Sequence, residues 1–200
     1  KDNNKLKNVI AMVDTSASME QDNCQPLYSA IGLGIRIAEK SNFGKRVLTF
    51  SAEPNWINLD NLDFVETVKK IQKAHWGQNT NFRAALDLIL DTAIKNNIPS
   101  SDMQNLTLVI LSDMQIDVGQ DDSNNLMFDM MRVKYQSYNY NLPHIVFWNL
   151  RNTNGFPNLS NEKNTSMMAG INPLILNNFC EKGIDILKEI TPLDNLKEIL

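Results

Sequence analysis

Cysteine is scarce in this 200-residue chain, which has only Cys24 and Cys180. Two thiols make neither the disulfide framework of a small secreted domain nor a cysteine-rich zinc site. They read instead as small core residues in a reducing, intracellular compartment. Histidine is equally sparse, with only His75 and His144. No apolar run approaches the roughly 20 residues that a membrane helix requires, and the opening Lys1-Asp2-Asn3-Asn4-Lys5 does not resemble a signal peptide. A surplus of positive charge is missing too. Nineteen Lys and Arg against 23 Asp and Glu leave a net charge of −4 and a pI near 5.2. That balance argues against a broad electrostatic grip on nucleic acid or an anionic membrane. What is present is a hydrophobic content of 42%, enough core for a single domain over 1–200. Because residue 1 is Lys, the domain is expected to belong to a longer protein. Asparagine is in excess, at about one residue in seven. It is spread along the whole chain, which excludes a low-complexity tract. With frequent Lys and Ile, it fits an A/T-rich coding sequence.

The hydrophobic pattern alternates strand and helix. Residues 8–13 form a short, almost wholly apolar run, as a strand buried on both faces requires. Pro26 opens a helical stretch with Leu27, Ile31, Gly34, Ile35 and Ala38 on one face, and Gly44 ends it. Because Gly32 and Gly34 lie inside this pattern, they do not form a nucleotide loop. Strands are expected at 47–51 and, at an edge, 56–59. The helix that follows has Leu62, Val65, Val68 and Ile71 inward, and the next has Phe82, Leu86, Ile89, Leu90 and Ala93. A second fully buried strand spans 106–111. After it come a helix over 125–138 with Met127, Met130 and Met131 in the core, and a strand over 144–148. The last quarter reads as a polar loop over 151–164, a strand at 166–169, a helix over 172–181 and a capped closing helix from Thr191. Buried strands alternating with helices imply an α/β, doubly wound, mainly parallel sheet with helices on both faces.

The first strand runs directly into Asp14-Thr15-Ser16-Ala17-Ser18. In doubly wound sheets, ligands bind beyond the carboxyl ends of the strands. A loop there can turn alternate side chains toward one point, offering a carboxylate and two hydroxyls. The 106–111 strand ends in Ser112-Asp113, a second carboxylate at the same edge, and Thr80 precedes the Phe82 helix. Three hydroxyls and two carboxylates make a hard, all-oxygen set suited to Mg²⁺ or Mn²⁺, whereas zinc favours His or Cys. Each residue also has a plainer reading: Ser18 and Thr80 as helix caps, Asp14 as a turn residue.

The run Asp14-x-Ser16-x-Ser18, with Thr80 before a helix and Asp113 after a buried strand, resembles the metal-ion-dependent adhesion site of von Willebrand factor A domains. The resemblance covers essentially the whole chain and implies a Rossmann-like sheet of strand order 3-2-1-4-5-6. It also implies that Ser16, Ser18 and Thr80 ligate the metal, with Asp14 and Asp113 acting directly or through water. Two places depart from the family's common pattern: Gln78-Asn79-Thr80 stands for Gly-Gly-Thr, and Asp113-Met114 for Asp-Gly. Ser112-Asp113-Met114-Gln115 and Phe147-Trp148-Asn149-Leu150-Arg151 are similar to the intracellular Ro-like branch.

The function this implies is a non-enzymatic module whose Mg²⁺ accepts an exposed Asp or Glu from a protein partner. Two carboxylates cancel the charge of one Mg²⁺, yet the metal stays electrophilic toward an acidic oxygen. Gln115, Asp117, Trp148 and Arg151 are candidates for an outer shell or rim. A Ro-like ribonucleoprotein scaffold is an alternative, although the acidic balance argues against direct RNA binding by this domain. A Mg²⁺-dependent phosphohydrolase is a remoter one. Ser16 stands where dehalogenase-like phosphatases carry a second Asp, and no lysine is obviously placed to support a phosphoaspartate.

Overall fold

The computed structural model describes residues 5–74, 81–114, 123–151, 164–171, 173–182 and 185. Its centre follows from the three most apolar segments. Every residue of β1 (Val9–Val13) and β4 (Thr107–Ser112) is buried, as is all of β5 (His144–Asn149) except His144. Successive side chains leave a strand on opposite faces, so each of these strands feeds two cores. Val9, Ala11 and Val13 join Val109, Leu111, Val146 and Trp148 in one. Ile10 and Met12 join Leu108, Ile110, Ile145 and Phe147 in the other.

With β2 (Arg46–Thr49), β3 (Trp56–Asn58) and β6 (Thr165–Ala169), these strands form one six-stranded sheet ordered β3-β2-β1-β4-β5-β6. All neighbours are parallel except β2 and β3. Helices α1 (Gln25–Lys40), α2 (Phe64–Gln72) and α6 (Pro173–Lys182) supply the first core. Helices α3 (Phe82–Lys95), α4 (Ser100–Met103) and α5 (Ser123–Ser137) supply the second. The expected doubly wound sheet, covered on both faces and ordered 3-2-1-4-5-6, is therefore the observed one.

Close packing holds β1 in place. A Cβ built on Gly34 of α1 would lie 2.6 Å from Val13 Cγ2, so the helix crosses the strand at a distance that excludes even a methyl group. On the other face, Phe82 at the start of α3 stands edge-on to Phe50 (6.0 Å) and Phe147 (5.8 Å). That anchors the helix beside the carboxyl ends of the strands.

Three expectations need correcting. On α2 the buried positions are Thr67 and Ile71, with Val68 partly buried, whereas Val65 is 56% exposed. The helix begins only at Phe64 and packs against α1, and its first turn, with Phe64 and Val65, is left exposed. On α5 the core positions are Phe128, Met131 and Tyr135, while Met130 is 50% exposed. One residue turns the helix by about 100°, and Met130 falls off the inward face. The 3-10 turn Ala17–Glu20 and the short α4 were not anticipated. The closing helix, Gly183 and most of the polar 151–164 loop lie outside the described residues.

Candidate metal centre

The register of β1 against β4 builds the site. Val13 pairs with Leu111, and the Asp14 N–H donates to the Leu111 carbonyl at 3.0 Å. The ladder thus extends one residue past the strand and sets Asp14 level with Ser112. Asp14 is buried, and both its carboxylate oxygens are held. Oδ1 accepts from the Ser16 N–H at 2.8 Å, and Oδ2 accepts from the Ser112 hydroxyl at 2.6 Å. The Ser112 hydroxyl in turn accepts the Met114 N–H at 3.1 Å. Ser16 Oγ and Ser18 Oγ lie 3.0 Å apart. Asp113, also buried, is near enough for its charge to act on Asp14. Burial pushes the Asp14 carboxyl above its ordinary pKa, the hydrogen bonds from Ser112 and Ser16 pull it down, and Asp113 adds a smaller upward push.

Asp14, Ser16, Ser18 and Asp113 therefore share one edge of the sheet. Thr80, Gln115 and Asp117 lie outside the described residues. Trp148 is no rim residue: it is fully buried, lies edge-on to Phe179 at 5.0 Å, and donates its indole N–H to the Gly170 carbonyl at 2.9 Å. Arg151 does reach the site. Its Nη1 is 3.7 Å from Asp113 Oδ2, and its Nε donates to Asp22 Oδ2 at 2.9 Å.

The plainer readings of the hydroxyls fit less well. The cap of α3 is Asn81, whose Oδ1 accepts the Ala84 N–H at 2.9 Å. Ser18 lies within the 3-10 turn, and α1 starts after Cys24 with no side-chain cap. Ser16 precedes the turn but makes no capping bond through its hydroxyl.

Sequence reasoning missed Ser112 as a partner of Asp14, and it missed Gln21 and Asp22 as partners of Arg151. The signal for Ser112 was only its place beside Asp113, since the register that pairs Val13 with Leu111 and so sets Ser112 level with Asp14 is fixed by the fold. The backbone carries strain at two places here. Met114 has φ 59°, at a position where the family resemblance puts glycine. Asp22, Asn23 and Cys24 are all left-handed as well, at φ 55°, 59° and 59°.

The donor set suits a hard divalent cation. Among the described residues no three His, Cys, Asp or Glu converge, so a zinc-type site is not formed there. Oxygens at adjacent corners of an octahedron with bonds of about 2.1 Å are about 3 Å apart. The Ser16 and Ser18 hydroxyls have that separation, 3.0 Å, which also allows a hydrogen bond between them. Two buried carboxylates supply the opposing charge. Ser16, Ser18, Asp14 and Asp113 are the residues that would hold such an ion.

Sheet order, helices on both faces and an acid-hydroxyl loop after the first strand define a von Willebrand factor A-like fold. Solved structures of other proteins share it, among them the following two. The Ro (RSR) protein of Deinococcus radiodurans superposes with a TM-score of 0.50 at 15% identity, covering 88% of this chain and 34% of that one. Proximal thread matrix protein 1 from the mussel byssus gives a TM-score of 0.55 at 14% identity, covering 90% and 47%. Within that class, the chain belongs to the family described as domain of unknown function DUF7788, whose model matches residues 8–197. It is also 32% identical over 203 residues to the uncharacterized protein L728 of Acanthamoeba polyphaga mimivirus. The alignment takes in 100% of this chain and 34% of the viral protein, so the chain spans about a third of that relative's length.

Proposed function

We propose that this domain is a divalent-metal-dependent protein-binding module that captures an acidic group of a partner. The observation that carries the reading is the pair of hydroxyls, Ser16 and Ser18, 3.0 Å apart beside buried Asp14. They converge at the carboxyl edge of a doubly wound sheet and are not spent on helix caps. A bound Mg²⁺ or Mn²⁺ would supply an open coordination position for a carboxylate oxygen. The chain's own residues prepare that position. Ser112 and the Ser16 N–H fix the two oxygens of Asp14, and Asp113 adds the second negative charge. A bound cation would also dominate the local field, so a chain of net charge −4 can still attract an acidic partner.

We read the module as one that binds rather than turns over, because its oxygens form a ligand set for a cation: Asp14 and Asp113 bring the charge, and the Ser16 and Ser18 hydroxyls are neutral donors. We read the compartment as intracellular on cysteine usage. Among the described residues no helix is long and apolar enough to cross a membrane. The partner is a protein bearing an exposed Asp or Glu.

Thermal melting in Mg²⁺ against EDTA tests the metal. At a hundred times the Kd, a ligand adds about 2.7 kcal/mol, or a rise of about 5–10 °C for a domain of this size. Asp14→Asn and Asp113→Asn should each remove the rise. Identical melting of the wild-type protein in Mg²⁺ and EDTA would sink the metal reading. Acidic peptides that bind equally well in EDTA would sink the acid-capture mechanism.

A further inference from the structure

We propose that Arg151 is a built-in competitor of the divalent cation. Its guanidinium stands beside Asp113 while gripping the loop that follows Asp14-x-Ser16-x-Ser18, and it must give up Asp113 before a metal binds at full strength. The inference rests on reading the site as a metal centre and concerns how that site is regulated.

Arg151 follows β5, and its side chain is only 15% exposed. Its backbone N–H donates to Asn149 Oδ1 at 2.9 Å, which fixes the base of the side chain. The guanidinium then reaches three groups from two parts of the fold. Nε donates to Asp22 Oδ2 at 2.9 Å, and Nη2 donates to Gln21 Oε1. Nη1 lies 3.7 Å from Asp113 Oδ2. The planar fork thus spans an exposed carboxylate, Asp22 at 58%, and a buried one, Asp113 at 1%.

Two consequences follow from charge and backbone. A cation already near Asp113 reduces the negative potential that draws a divalent ion, and it repels that ion directly. The gripped segment is also the strained one, since Asp22, Asn23 and Cys24 are consecutive left-handed residues. Such a run persists only where its surroundings hold it, and Arg151 contacts its first residue and the one before. Exchange of the guanidinium for a metal at Asp113 would therefore loosen the hold on residues 21–24, which join the acid-hydroxyl loop to α1. Metal occupancy and loop conformation become linked through one side chain.

The test compares Arg151→Gln and Asp22→Asn with the wild-type protein, titrated with Mn²⁺ alone and melted in EDTA. Arg151→Gln removes the charge and keeps a hydrogen-bonding side chain. It should melt lower in EDTA, having lost the clamp, yet bind Mn²⁺ on the order of tenfold more tightly. A merely structural arginine would lower the melting temperature without tightening the metal. Asp22→Asn, at an exposed site whose left-handed backbone suits asparagine, leaves the guanidinium to lean on Asp113 and should weaken Mn²⁺ several-fold. Mn²⁺ binding that Asp22→Asn leaves unchanged or tightens overturns the competitor role even if Arg151→Gln does not fold. Wild-type binding that Arg151→Gln leaves unchanged or weakens overturns the competitor role and spares the metal centre. Absence of Mn²⁺ binding in both the wild type and Arg151→Gln overturns the metal centre and this inference with it.

Discussion

At the scale of single residues, the site depends on a hydroxyl that carries no formal charge. Ser112 donates to Asp14 at 2.6 Å and accepts the Met114 N–H at 3.1 Å. It thereby lowers the Asp14 pKa against the upward push of burial. Ser112→Ala removes both bonds from a buried place. It leaves the Met114 amide without that acceptor and Asp14 with one donor fewer, so its carboxyl should rise further. The expected cost is about 1–3 kcal/mol of stability, read by urea denaturation, together with a smaller Mg²⁺-induced rise in melting temperature near neutral pH. An alanine variant as stable and as metal-responsive as the wild type would show that Ser112 merely fills space. Asparagine finds its use at this scale as well. Glycine is sparse, with eight in the chain, and Asn23, Asn61, Asn97, Asn139 and Asn164 occupy left-handed positions that glycine usually fills. The asparagine excess is thus partly a turn chemistry, whatever its origin in the coding sequence.

At the scale of elements, two glycines two residues apart on α1, and so on opposite faces of the helix, have opposite meanings. Gly34 faces β1, where a Cβ would meet Val13 Cγ2 at 2.6 Å, while a Cβ on Gly32 would meet nothing within 4 Å. Alanine in place of either gains about 1 kcal/mol of helix propensity. At Gly34 that gain is outweighed by overpacking against a stiff, buried valine flanked by Val47 and Ala11, a cost of about 1–3 kcal/mol. Gly32→Ala should therefore raise the melting temperature, and Gly34→Ala should lower it or at best leave it level. Because Val13 directly precedes Asp14, only Gly34→Ala should also weaken Mg²⁺ binding. Equal effects from the two variants would contradict the packing account.

The same elements show how much was legible in advance. Strands buried on both faces must be continuously apolar, so β1, β4 and β5 stood out, and the loops at their ends pointed to Asp14, Ser16, Ser18 and Asp113. Helical phase was harder. On α2 and α5 several apolar residues compete for the inward face, and tertiary packing chose Thr67 over Val65 and Phe128 over Met130. Least legible were contacts that need a register between distant strands or loops. Ser112 meets Asp14 across 98 residues, and Arg151 meets Asp22 across 129.

At the scale of the whole molecule, the sheet gathers negative charge where its strands end, and that arrangement has a pH signature. Burial raises the Asp14 carboxyl above its ordinary pKa more than the Ser112 and Ser16 hydrogen bonds lower it. A carboxyl whose folded pKa exceeds its unfolded one contributes stability that is fully present below the unfolded value. The contribution is lost as pH rises through the folded value. The fold alone should thus gain least from Asp14 once the group is ionised. A divalent cation needs that ionised form and displaces the proton, so its stabilisation should follow the opposite course. The rise in melting temperature on adding Mg²⁺ should be near zero while Asp14 is protonated and grow to a plateau as pH rises through its raised pKa. Melting in EDTA should show the Asp14 contribution fading over the same interval. Melting curves across that range, with and without Mg²⁺, measure both trends in one protein. Asp14→Asn separates this group from the other carboxylates, since its EDTA curve should lose that component and its Mg²⁺ response should be flat. A wild-type Mg²⁺ response independent of pH would mean that the ion is held somewhere other than at Asp14.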